Sequence, residues 1–412
     1  MKSISKLFRF GPGPSSSHTI APSIAVRSFR SLLEGKEITS IKVILYGSLA
    51  YTAKGHNSDK AIEDTFATYP CEVILDKETK VEHPLTMKFI AMKGEKEIIE
   101  RTYSSLGGGE ITSNDDLRVI EKDIYPFRDF EEIKSFMKEK GLKNLKEFAL
   151  LFEEEAIDDY LKEATLRMFS SIEKGLKKDS LIPADNNPKL IWRRSAGKIY
   201  QKALEIEESE ARREILMTAY AYAVGESNAS GEEVVTAPTC GSSGVLPAIL
   251  YYEYKDEGVP LEKIKDALYV AGIFGNIVKQ NASIAGAIGG CQAEIGTASS
   301  MGAAALCYLK GMDLFAQEYA AECAMEHFLG LSCDPVDGYV IIPCIERNGM
   351  GVLRSYDAYL YAKYVAPIRK NEVSFDNVVS AMKLTGDALG DAYKETARGG
   401  LAQILKEYKS ST

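Results

Sequence analysis

The chain has 412 residues, 45% of them hydrophobic, enough for two or three domains that each bury a core. Its 50 Lys+Arg against 59 Asp+Glu leave a net charge of -9, which opposes a nucleic-acid backbone and gives no basic run for a membrane surface. Met1 to Phe10 lack the apolar core of a signal peptide, Ile295 to Leu309 is too short and polar for a spanning helix, and seven cysteines without disulfide-scaffold spacing fit a reducing cytosol; a cytoplasmic protein is expected.

Pro22 opens a predicted helix in which Ala25, Phe29, Leu32 and Leu33 follow helical spacing while Arg27, Arg30 and Glu34 face elsewhere. Ile41, Val43 and Leu45 alternate with Lys42, Ile44 and Tyr46 as a strand; a loop holding Gly47 and Gly55 follows, then a polar helix start at Asn57, Ser58 and Asp59. Met87 to Met92 and Ile98 to Tyr103 read as two strands around the turn Lys93-Gly94-Glu95, ending in a flexible run, Gly107-Gly108-Gly109. Charge-dense helices are predicted from Phe130 to Lys140 and from Leu145 to Lys162, and Asp185-Asn186-Asn187-Pro188 makes a loop. Nearly everything from Ile191 onward reads as helix. The expected class is α+β, with a small N-terminal α+β domain at 1–130 and a larger all-helical domain at 131–412. Between residues 265 and 310, Ala, Gly and Ser occupy every face, the pattern of helices buried all round. A mid-helix Gly costs about 1 kcal/mol against Ala, so close packing or a site must offset it.

Three cysteines stand apart from the rest. Cys291 lies within the Gly/Ala-rich stretch, Cys333 opens Cys-Asp-Pro-Val-Asp-Gly, and Cys344 opens Cys-Ile-Glu-Arg-Asn-Gly. Free cysteines are commonly small buried hydrophobes, but turn residues and carboxylates around Cys333 and Cys344 suit ligands better than helical cores. Three thiolates can hold a cubane iron-sulfur cluster and leave one iron without a protein ligand. Zinc is disfavoured, since no Cys-x2-4-Cys pair occurs among these residues. Cys71, Cys307 and Cys323 read as structural, and Cys240 is ambiguous.

Ser15-Ser16-Ser17-His18-Thr19 directly precedes the first helix, where hydroxyls and free N–H groups suit a carboxylate; the plainer reading is an N-cap with extra serines. The chain has four histidines, and two of them, His18 and His56, fall in Gly/Ser-rich turns; each is a candidate base or a capping residue. Val234 to Gly244, which includes Thr236, Thr239 and Cys240, ends an extended piece and enters a helix at Val245, a second place where an anion or a plain helix start fits.

These segments resemble one family along nearly the whole chain, the iron-sulfur-dependent L-serine dehydratases, or L-serine ammonia-lyases. Gly13-Pro14-Ser15-Ser16-Ser17-His18-Thr19, Tyr46-Gly47-Ser48-Leu49, Gly55-His56 and Gly107-Gly108-Gly109 look like the family's β domain. Asn228-Ala229-Ser230, Thr236-Ala237-Pro238-Thr239, Gly290-Cys291-Gln292-Ala293-Glu294, Cys333-Asp334-Pro335-Val336 and Pro343-Cys344-Ile345-Glu346-Arg347-Asn348 look like its α domain. The order is similar to that of single-chain members.

The resemblance implies a 4Fe-4S cluster on Cys291, Cys333 and Cys344, whose fourth iron acts as a Lewis acid on the serine hydroxyl. It implies His56 as first choice of base and His18 as second. Ser15, Ser16, Ser17 and Thr19 would hold the substrate carboxylate between the two domains, with Asn228, Thr236 and Thr239 as further substrate contacts. Pyruvate and ammonia are the implied products, and a homodimer through the helical domain is expected.

Two departures from the family pattern stand out. Where many members carry a cysteine shortly after a segment like Lys394 to Leu401, this sequence runs Glu407-Tyr408-Lys409-Ser410-Ser411-Thr412, so water or another ligand is expected at the open iron at rest. Cys240 occupies a place where members often carry a non-thiol residue, and is expected near the cluster without ligating it. Threonine or cysteine elimination on the same scaffold differs from serine elimination by about 1–3 kcal/mol per methyl, which sequence does not resolve. A pyridoxal-phosphate enzyme would need a Schiff-base lysine and phosphate loop, for which no convincing candidate stands out. An iron-sulfur sensor would need a nucleic-acid or partner surface, which the acidic balance does not offer.

Overall fold

The computed structural model describes residues 1–182, 191–369 and 371–411, without the side chains of 408–411; the loop expected at 185–188 lies outside the described residues. A five-stranded sheet forms the smaller lobe, in the order Cys71–Asp76, Ser40–Tyr46, Thr86–Lys93, Lys96–Gly107, Glu110–Thr112. Only the first pair is parallel. A parallel pair needs a crossover, and the helices Gly47–Thr52 and Ser58–Phe66 supply it; the first of them occupies part of the stretch expected as loop. Alternation puts Ile41, Val43 and Leu45 on one face beside Met87, Phe89 and Ala91, all fully buried. The helix Ala21–Arg30 covers that face, with Phe29 meeting Phe66 and Phe89 at ring-centroid distances of 6.4 and 5.5 Å.

The helical lobe is built around Thr297–Leu309, in which every residue but Tyr308 is buried. Leu261–Asn281, Val245–Lys255, Leu314–Glu326 and Cys344–Leu360 pack around it. Its small residues permit close approach: a Cβ added to Gly302 would lie 2.5 Å from the Ile249 side chain. The short strand pairs Leu181–Ile182 with Trp192–Arg193 and Phe10–Pro12 with Glu233–Val235 are exceptions to the all-helical reading of this part. Met1, Ile4, Leu7 and Phe8 belong to its core rather than to the sheet lobe.

Three local expectations need correction. The helix expected from Leu145 to Lys162 is two, Leu145–Ala149 and Ile157–Gly175. The intervening turn presents Glu153 to the N-terminal segment, where it accepts from Ile4 N–H at 2.8 Å, Ser3 Oγ at 2.6 Å and Tyr125 Oη at 2.6 Å, a tertiary demand that outweighs helix propensity. Gly107-Gly108-Gly109 is a tight turn with φ of 90°, 61° and 83°, pressed against Ile284 and Ala285, and not a flexible run. The Gly/Ala-rich stretch leaves helical geometry at Ala282 and resumes through a short turn, Gly286–Gly289, and a wide π turn, Gln292–Gly296. Cys291 sits at that break. Among the described residues no helix is long and apolar enough to cross a membrane.

Candidate active site

The two lobes meet through backbone contacts that only glycine permits. A Cβ on Gly13 would lie 2.2 Å from the Asn228 carbonyl oxygen, and one on Gly55 would lie 2.2 Å from that of Gly338. Along this seam runs a cavity lined on one side by Ser15 and His56 and on the other by Cys291, Cys333, Cys344, Glu294, Arg347 and Glu395.

On the sheet side, residues 15–20 form a buried turn that opens the first helix, with Ser15 Oγ accepting from His18 N–H at 3.2 Å. Ser16 and Ser17 are buried beside it. The rings of His18 and His56 stack with centroids 4.5 Å apart, and Thr19 Oγ1 donates to the His56 carbonyl at 2.7 Å. Their partners fix their tautomers. Ser48 Oγ donates to the Glu395 carbonyl at 2.7 Å and so accepts from His18 Nε2, 3.0 Å away; His18 Nδ1 is left to accept from Ser17 or Ser15 Oγ at 3.0 and 3.2 Å. Both nitrogens of His18 are thus engaged. His56 Nδ1 lies 3.1 Å from the Thr52 carbonyl, which can only accept, so Nδ1 carries a proton and Nε2 is the nitrogen left to exchange one, in a ring that lines the cavity.

Burial holds the His18 imidazole down to about 4, although the Glu395 charge pulls the other way. An unfolded chain takes a proton on this residue near its ordinary value of about 6.5, so the unfolded state binds more protons between the two values. Native stability should be full above about pH 6.5 and fall as the pH drops towards 4. Thermal unfolding of the native protein and of His18→Asn between these limits should show a shallower decline in the variant; parallel declines would contradict the assignment.

On the helical side, Cys291 precedes the π turn, Cys333 lies in an extended segment bridged to Lys394, and Cys344 is the first residue of Cys344–Leu360. The sulfurs of Cys291 and Cys333 and a Glu294 carboxylate oxygen lie within 4.8 Å of one another. A hydrogen bond from Cys333 and the neighbouring Arg347 pull the Cys291 thiol down to about 7 against its burial. Cys333 is pushed up by its bond to Cys291 and by burial, and Cys344 by burial and the Cys291 charge. Burial and the nearby Glu395 and Cys291 likewise push the Glu294 carboxyl well up. Arg347 is fixed by bonds to the Ser332 carbonyl at 2.8 Å and Asp334 Oδ1 at 3.1 Å. Three thiols and the Glu294 and Glu395 carboxylates therefore share a buried cavity with one guanidinium, a donor set that becomes fully ionised only against added positive charge. Space is kept for it by a missing side chain: a Cβ on Gly286 would come 2.7 Å from Glu294 Oε2 and 2.9 Å from Cys333 Sγ.

The remaining candidates fall around this cavity unequally. Thr239 Oγ1 donates to Glu294 Oε1 at 2.7 Å, and Asn228 Nδ2 donates to the Pro14 carbonyl at 2.9 Å, bracing the serine loop. Thr236 is turned elsewhere, its hydroxyl donating to the Leu7 carbonyl at 2.7 Å and accepting from Arg9 N–H at 2.8 Å. Cys240 is buried, and burial with the Glu294 charge pushes its thiol up. Sequence reasoning gave no role to Glu294, Arg347 or Glu395. The first two lie in motifs quoted for their cysteines, and Glu395 in the Lys394 to Leu401 segment, quoted only as a landmark. Glu395 is buried, with Oε1 3.2 Å from His56 Nε2 and 3.7 Å from His18 Nδ1.

Residues 3–72 match the family model described as serine dehydratase beta chain, and residues 71–402 the one described as serine dehydratase alpha chain. The chain is 36% identical to an L-serine dehydratase of Streptomyces coelicolor, over 98% of this chain and 99% of the relative. It is 35% identical to the L-serine dehydratase TdcG of Escherichia coli, over 96% and 97% of the two chains. An L-serine dehydratase of Haemophilus influenzae is 34% identical over 98% and 99%.

Proposed function

Since the chain belongs to the serine dehydratase family, we propose that it is an L-serine ammonia-lyase, which converts L-serine into pyruvate and ammonia in the cytoplasm. The reading divides the chain into a substrate-binding part at 1–130 and a cluster-bearing part at 131–412, and takes the protein to be a homodimer through its helical lobe. The observation that carries it is the meeting, in one seam cavity, of three thiols from one lobe and the His56 imidazole from the other.

Cys291, Cys333 and Cys344 would hold a 4Fe-4S cluster: the ligands are all sulfur, and the bare Gly286 leaves room beside Cys333. When bound, such a cluster supplies a Lewis-acidic iron that makes hydroxide a better leaving group. The substrate carboxylate sits at the start of the first helix, where Ser15 lines the cavity and the first N–H groups lack intrahelical partners. Ser16, Ser17 and Thr19 shape that loop, Thr19 also holding the His56 backbone, while Asn228 braces the loop from across the seam and Thr239 supports Glu294 on the opposite wall. His56 Nε2 takes the α-proton, and His18, with both nitrogens engaged, keeps the stacked ring in place. Loss of the β-hydroxyl gives aminoacrylate, which tautomerises and hydrolyses to pyruvate and ammonia.

Anaerobically purified protein, analysed for iron and sulfide and then assayed for pyruvate from serine, with threonine and cysteine run in parallel, tests the reading. Serine should be turned over fastest. No keto-acid from serine in iron-replete protein would overturn it.

A further inference from the structure

Among the described residues, Glu395 is the one carboxylate that touches both histidines of the seam. It reaches them from a segment far along the chain, in which Glu395 and Ala397 adopt φ of 57° and 54°, a conformation uncommon for non-glycine residues and held here by tertiary bonds. Cys333 N–H donates to the Tyr393 carbonyl at 2.8 Å, Glu395 N–H donates to the Cys333 carbonyl at 2.8 Å, and Ser48 Oγ donates to the Glu395 carbonyl at 2.7 Å. The side chain is thereby aimed from a segment paired to that of Cys333 into the histidine pair.

The tautomer of His56 gives this contact a direction. With Nδ1–H committed to the Thr52 carbonyl, Nε2 faces Glu395 Oε1 across 3.2 Å, and a carboxylate there favours the ring with a proton on Nε2 over the ring without it. An interaction stronger after proton abstraction than before accelerates that step.

We infer that Glu395 is a positioning residue for proton abstraction, facing His56 Nε2 at the seam cavity and stabilising the imidazolium that forms when that nitrogen accepts the α-proton. The C–H electron pair stays on the substrate carbon, the proton moves to His56 Nε2, and the carboxylate accepts the new N–H. This rests on the reading of the chain as a serine ammonia-lyase with His56 as base.

Glu395→Gln should lower kcat about 100-fold with KM changed less than about threefold, and should raise the isotope effect with α-deuterated serine. Glu395→Asp should restore at least about a tenfold share. In the full-length chain prepared without iron, nitrogen-15 signals of the His56 ring should shift in Glu395→Gln while those of His83 and His327 stay in place. An unchanged His56 ring would overturn the inference, as would a fall in kcat with an unaltered isotope effect and no rescue by aspartate. If the ring responds but native protein yields no pyruvate, the link between Glu395 and His56 stands and the proposed activity falls.

Discussion

Cys333→Ser is expected to bring bound iron and acid-labile sulfide close to zero and to lower pyruvate formation by at least about 10³-fold, with the fold kept. The substitution changes one atom on a backbone pinned on both sides, by the Tyr393 carbonyl and by Glu395 N–H. Hydroxyl is a poor match for iron where thiolate is required. The factor follows from the several kcal/mol of charge stabilisation that a Lewis acid gives a leaving oxygen. Cys291→Ser and Cys344→Ser should behave alike. Cys240→Ser should keep its iron: that side chain is buried near Glu294 but does not line the cavity. Loss of iron in Cys240→Ser, or its full retention in Cys333→Ser, would contradict the ligand set.

The second large effect is expected at His56. His56→Asn should lower kcat by about 10²–10⁴-fold, the range for removal of a positioned base, with iron content unchanged and KM altered little. The same change at His18 should cost less, because both of its nitrogens are occupied by serine hydroxyls and its imidazole is held down to about 4 by burial. Turnover measured between pH 6 and 9 under anaerobic conditions, with iron determined on the same samples, separates loss of base from loss of metal. Equal falls for the two histidines, or a larger one at His18, would reverse the assignment.

Much of this architecture was legible because local rules and tertiary packing agree. Ile41, Val43 and Leu45 alternate and become a strand buried on one face, and Phe130–Lys140 begins and ends where its Asp129 cap and the Gly141 αL residue place it. The cysteines could be picked out because two of them sit among turn residues. Long-range demands stayed hidden. Glu153 interrupts a good helical sequence to cap the N-terminal segment, and Thr236, which reads as an anion-site hydroxyl, is used to tie down residues 7 to 9. Glu395 could not be found from composition, since a single Lys-Glu pair carries no local signal of burial; its burial goes with the strand-like bridge between Lys394 and Cys333. Local pattern carries no trace of a partner 62 positions away in the sequence, as Cys333 and Glu395 are.

The claim on which the rest depends is that three thiols hold a cluster and leave one iron open to substrate. Mössbauer spectra of anaerobic, iron-57-enriched protein, recorded with and without L-serine, test it directly. Three irons should keep their parameters while about one in four changes on adding serine. Four irons indifferent to serine, or pyruvate formed at full rate by iron-free protein, would contradict it.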